Sequence, residues 1–102
     1  MTSTSQKLND LYNRIPRRHT TDNVKDIYAL LNEYEDVLRE IETEPKYEKE
    51  VAVYFDELDP IRVLVKKSTE NKASKKQKDN YFDEASSAFK DTLEGLKELY
   101  DN

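Results

Sequence analysis

The sequence predicts an all-α protein, an antiparallel up-down-up-down four-helix bundle, and three observations lead there. A single Gly in 102 residues leaves almost no material for hairpin turns. Leu, Glu, Lys, Asp and Ala, which suit helices, dominate the patterned segments. The apolar residues fall into four such segments at spacings of three and four, joined by short connections that favour antiparallel neighbours. Apolar residues are 35% and charged residues 38% of the chain. That balance borders on unstructured compositions, so the periodicity decides in favour of a folded chain. Residues 1–102 read as one domain, long enough to withdraw roughly two thirds of its unfolded surface from water.

The first helix is expected from about Ser5 to Arg14, with Leu8, Leu11, Tyr12 and Ile15 on one face and a capping box at Ser3 and Gln6. Pro16 ends it. The second opens near Thr21 or Asp22 and carries Val24, Ile27, Tyr28, Leu31, Tyr34, Leu38 and Ile41, a stripe sustained over five turns. Its first turns hold Asp22 and Asp26, where the helix dipole favours anions.

The third helix begins around Pro45, with Tyr47, Val51, Tyr54, Phe55 and Leu58 on one face. Pro60 removes a backbone donor and crowds the preceding turn. The expectation is therefore a third helix kinked or broken near Pro60, with Asp59 able to cap a second piece carrying Ile61, Leu64 and Val65. A strand over Ile61 to Val65 is the competing reading, and it would lack a pairing partner. The fourth helix follows a capping box at Ser74 and Gln77 and bears Phe82, Ala85, Phe89, Leu93, Leu96 and Tyr100 nearly to the C-terminus. Gly95 inside it costs about 1 kcal/mol relative to Ala, which marks a close-packing position rather than a helix stop.

Several kinds of chemistry are missing. There is no Cys, which excludes disulfides, thiolate metal sites and a Cys nucleophile, and fits a reducing compartment. His19 is the sole imidazole, read as a solvated loop residue among Pro16, Arg17, Arg18 and Thr20. No Glu-x-x-His occurs, so a carboxylate-bridged metal pair is not expected, and one Gly cannot build a phosphate loop. The seven Tyr sit mostly in the stripes, read as core packing with the polar tip at the surface. The expectation is a non-enzymatic binding protein without cofactor or metal. Met1 to Asp10 is polar and shows neither signal-peptide nor transit-peptide character, and the longest uncharged apolar stretch is Val51 to Phe55, so a cytoplasmic location is expected.

Net charge is −5, which argues against general duplex DNA binding. The average conceals an asymmetry. Lys66, Lys67, Lys72, Lys75, Lys76 and Lys78 face one nearby acid, Glu70, whereas eleven acids between Glu33 and Asp59 meet only Arg39, Lys46 and Lys49. In an up-down-up-down bundle the first and third connections share an end, which brings Arg14, Arg17, Arg18 and His19 beside the Lys-dense segment. The opposite end gathers Glu40, Glu42, Glu44, Glu48, Glu94, Glu98 and Asp101. Such runs serve as ordinary solvated helix ends and loops as readily as they meet a partner. If the basic end is functional, an anionic surface such as the inner leaflet suits it, each surface-proximal Lys or Arg contributing about 1 kcal/mol. Base-stacking aromatics are absent from the basic segment, so nucleic acid is not the expected partner.

The chain resembles the class IIa bacteriocin immunity proteins, in particular the enterocin A immunity family. The resemblance rests on Leu11-Tyr12-Asn13 followed by Ile15, on Asp26-Ile27 running into Leu30-Leu31, and on Leu58-Asp59-Pro60 before a later helix, and with the helix order it spans nearly the whole chain. It implies a cytoplasmic antiparallel bundle that protects the producing cell by engaging the bacteriocin's membrane receptor, the mannose phosphotransferase permease, or the receptor–bacteriocin complex, from inside. It also implies that the C-terminal half, here Lys66 to Lys78 and the fourth helix, determines specificity. Arg17, Arg18, Lys72, Lys75 and Lys76 are the candidate partner- or membrane-facing residues, chosen by electrostatics and not by a family motif. The alternative is an acidic helical regulator or adaptor of phage or mobile-element type, which would occupy a basic surface on a host protein through its acidic end, around Glu40 to Glu50.

Overall fold

The computed structural model describes residues 4–16 and 18–101, apart from the side chains of Ser5, Tyr100 and Asp101. Four helices form: α1 (Thr4–Arg14), α2 (Thr21–Glu42), α3 (Glu48–Lys67) and α4 (Lys75–Asp101), with no strand among the described residues. At about 1.5 Å per residue the 27 residues of α4 span about 40 Å, which accounts for most of the 45 Å long axis of the molecule. The 11 residues of α1 reach less than half as far, so α1 covers only part of what it packs on.

Local chemistry explains where the helices start. Thr20 sits in extended backbone and its Oγ1 accepts from the Asn23 amide at 3.0 Å, which satisfies one of the amides left open at the start of α2. Ser74 and Gln77 form a reciprocal capping box: the Ser74 amide donates to Gln77 Oε1 at 2.9 Å and the Gln77 amide donates to Ser74 Oγ at 3.2 Å. The capping box read at Ser3 lies outside the described residues. α3 opens three residues later than Pro45, which instead belongs to a turn in which the Tyr47 amide bonds to Glu44 O at 3.0 Å.

The third helix is not broken. α3 runs unbroken through Pro60, and Ile61 to Val65 is helical rather than a strand. Pro60 and Asp56 are both exposed, so the amide–carbonyl bond that Pro60 removes falls on the solvent side of the helix, where its loss costs least. Val53 and Val63, 57% and 49% exposed, lie on this helix too. Its other side buries Val51, Leu58, Ile61 and Val65.

The four stripes converge on one core. Ile27, Leu31, Tyr34 and Leu38 of α2, Val51, Leu58, Ile61 and Val65 of α3, and Phe82, Phe89, Leu93 and Leu96 of α4 belong to it, together with Leu8 and Leu11 of α1. The ring of Tyr34 stacks on that of Phe89 at 5.5 Å between centroids. Gly95 lets α4 approach Tyr54, whose hydroxyl lies 3.3 Å from where a Cβ would stand.

α1 packs on α2 and α4, α2 on α3, and α3 on α4. Paired residues run in opposite numerical order along neighbouring helices. Lys7 meets Glu40 at 3.1 Å and Arg14 meets Glu33 at 2.6 Å. Lys97 donates to Asn9 at 2.6 Å and Tyr12 to Glu94 at 2.9 Å. Along α3 and α4, Tyr54 lies against Gly95, Thr92 bonds Glu57, and Lys67 lies over the Tyr81 ring.

Candidate functional site

The α1–α2 connection is tied to the start of α4. Ser86 Oγ donates to Pro16 O at 3.1 Å, His19 Nδ1 lies 3.3 Å from Asp79 Oδ1, and the imidazole sits 5.4 Å from the Phe82 ring. Asn23 Nδ2 holds the Arg18 carbonyl at 2.7 Å, which braces the connection from α2 as well. His19 is therefore not the solvated loop residue that its neighbours in sequence suggested. Its side chain is 19% exposed, because folding brings α4 over it.

These contacts leave a cleft of about 340 Å³ lined by Arg18, His19, Lys75, Asp79 and Asp83. The juxtaposition of the first connection with the Lys-rich start of α4 is thus present, and Arg18 and Lys75 share one cleft. Among the described residues, Lys72 and Lys76, exposed on either side of Lys75 in sequence, make no ion pair, and neither do Arg18 and Lys75. Arg17 lies outside the described residues. Arg14 does not join this surface: it pairs with Asp10 at 3.2 Å and with Glu33 along the side of α1 and α2.

Asp79 and Asp83 were not chosen from the sequence, and they temper the positive character of the cleft. Lys75, Asp79 and Asp83 recur every fourth residue and so share a helix face, a signal that was readable.

The placement of the lysines carries an electrostatic cost. α4 has no acid in its first turn, and Lys75, Lys76 and Lys78 stand at the positive end of its dipole, where each cation is disfavoured by a few tenths to about 1 kcal/mol. At the other side of the connection Lys66 and Lys67 occupy the last turn of α3, where the dipole favours them. The intervening residues form consecutive tight turns, with the Thr69 amide on Lys66 O at 3.0 Å and the Ala73 amide on Glu70 O at 3.2 Å.

A buried polar chain, invisible in the sequence, lies deeper. Tyr34 is fully buried, so its hydroxyl is not at the surface as its stripe position suggested. Thr92 spends its single hydroxyl proton on the Glu57 carboxylate, which leaves Tyr34 as the donor to Thr92 Oγ1 at 3.2 Å. Burial, the largest cause, drives the Tyr34 hydroxyl well above its ordinary pKa of 10.0, with Glu57 adding to the rise. Tyr54 is raised as well, first by burial and then by the carboxylates of Glu57 and Glu98.

Among the described residues no group of three or more His, Asp or Glu is placed to hold a metal ion, and no helix is long and apolar enough to cross a membrane. Comparison with protein families, with curated proteins and with solved structures finds no match to this chain.

Proposed function

We propose that the chain is an antiparallel up-down-up-down bundle acting as a bacteriocin immunity protein of the class IIa type. It works without catalysis, in the cytoplasm, by associating with the bacteriocin's membrane receptor, the mannose phosphotransferase permease, or with the receptor–bacteriocin complex. The opposite numerical order of paired residues on α1 and α2, on α1 and α4, and on α3 and α4 supports the topology. One observation carries the function: Lys75 and Lys76 are exposed, without an ion pair among the described residues, at the helix end whose dipole opposes them, and Lys75 shares a cleft with Arg18. A solvated surface gains nothing from that position, whereas an anionic partner at the membrane face relieves the repulsion.

Production of the chain in a bacteriocin-sensitive strain, followed by challenge with a panel of pediocin-like bacteriocins, should reduce sensitivity to at least one. Unchanged sensitivity across the panel would overturn the reading. Substitution of Lys72, Lys75 and Lys76 by Glu should abolish protection with helix content intact.

A second reading draws on the opposite end, where Glu42, Glu48 and Glu50 are exposed without an ion pair among the described residues. There the chain is an acidic adaptor that occupies a basic surface of a host protein. On that reading, neutralising Glu42, Glu44 and Glu48 has the larger effect.

A further inference from the structure

The flank formed by α1 and α2, away from the basic end, carries a groove that the immunity reading does not use. Two hollows of about 520 and 380 Å³ meet at Glu33 and run along the seam. The base is apolar: the buried Leu11 and Val37 under one and the buried Leu30 under the other, with the exposed Ala29 beside it. The groove exists because α1 is half the length of α2 and stops at Arg14, leaving the α2 surface from Asp26 to Glu33 with only the end of α1 beside it.

The walls are acidic. Asp10, Glu33, Asp36 and Glu40 rim the larger hollow and Asp26 the smaller, against two cations, Lys7 and Arg14. Those two already show the chemistry the groove performs, each reaching across the seam to a carboxylate of α2, Glu40 and Glu33. Three more carboxylates than cations remain. Asp26 has no ion pair among the described residues, and Asp36 is approached only by Arg39 at 4.0 Å. The bridging pairs are 40% exposed or more on both sides, the class of ion pair worth at most about 1 kcal/mol, so an incoming cation exchanges with them at little cost.

We propose that this groove docks a Lys- and Arg-bearing amphipathic helix of a protein partner. Aliphatic stems of successive basic side chains lie over Leu11, Val37 and Leu30, and their charged heads reach the carboxylates on the rim. The proposal is independent of the immunity reading, since no residue is shared between this flank and the basic end.

The test uses the full chain and a dye-labelled synthetic helix with Leu and Lys at helical spacing, followed by fluorescence anisotropy at low and moderate salt. The wild-type chain should bind, and Glu33→Gln/Asp36→Asn/Glu40→Gln should weaken binding about tenfold or more. The control Glu42→Gln/Glu48→Gln/Glu50→Gln removes the same charge outside the groove and should change binding by no more than about twofold. Ala29→Lys places a resident cation in the smaller hollow at little cost in helix propensity, and should compete with the peptide. Absence of binding by the wild-type chain overturns the proposal. So does an equal loss in the two triple variants, which would assign binding to net charge. Salt-sensitive self-association abolished by the groove triple would also overturn it, in favour of a second copy as the occupant.

Discussion

The seam between α3 and α4 and the seam between α1 and α2 are closed by different forces. The first is directional: Tyr54 packs against the bare backbone of Gly95, and the buried Tyr34 hydroxyl is linked through Thr92 to Glu57 at the surface. On the second seam the inner sides of Leu8 and Leu11 are buried, but its outer edge is held by exposed pairs of Lys7 with Glu40 and Arg14 with Glu33. Burial and satisfied hydrogen bonds respond little to salt, whereas exposed ion pairs are screened. The α1–α2 flank should thus be the yielding side of the molecule.

The sharpest way to break this contrast is at its rigid side. Phe89→Ala removes a fully buried ring stacked on Tyr34 and should cost about 3–5 kcal/mol in urea unfolding. A loss under about 1 kcal/mol would mean that the core around Tyr34 repacks freely. Thr92→Val keeps the shape but strips Tyr34 of its acceptor, and about 1–3 kcal/mol should disappear from the unfolding free energy.

A pH experiment sharpens the same point. The folded state holds the Tyr34 proton more tightly than the unfolded chain does, so the unfolded chain releases it first as pH climbs through the ordinary value of 10.0. Stability should therefore be unaffected by this group below that value and fall progressively above it. Tyr34→Phe should flatten the alkaline decline, as thermal unfolding followed by circular dichroism would register; an unchanged decline would place the sensitivity elsewhere.

The smallest effect belongs to the yielding side. Arg14→Gln removes both of its ion pairs, and the stability change should be at most about 1 kcal/mol, vanishing at high salt. Hydrogen exchange of the α1 amides should be faster than that of α4 around Phe89 in the same sample. Equal protection of the two helices would erase the distinction.

Much of the architecture was legible because its signals are local. The Ser74–Gln77 capping box and the apolar stripe from Val24 to Ile41 act within one helix, and each appears where its residues imply. Pro60 shows the opposite case. Its intrinsic effect on a helix is correctly read from sequence, yet its outcome depends on which side of the helix loses the bond, and a loss on the solvent side lets the helix continue. For the candidate site, the approach of Arg18 to Lys75 followed from the order and shortness of the connections, whereas the two aspartates that join them were passed over.

What the sequence by itself determined is the helical class, the approximate place of four segments and the uneven distribution of charge, since helix spacing and capping operate over three or four residues. Only the tertiary structure decided that His19 rests on Asp79 and Phe82, that Tyr34 finds Thr92 at a separation of 58 residues, and that Gly95 receives Tyr54. Each of those contacts depends on the rotation and axial offset of one helix against another, set jointly by all the packed side chains between them.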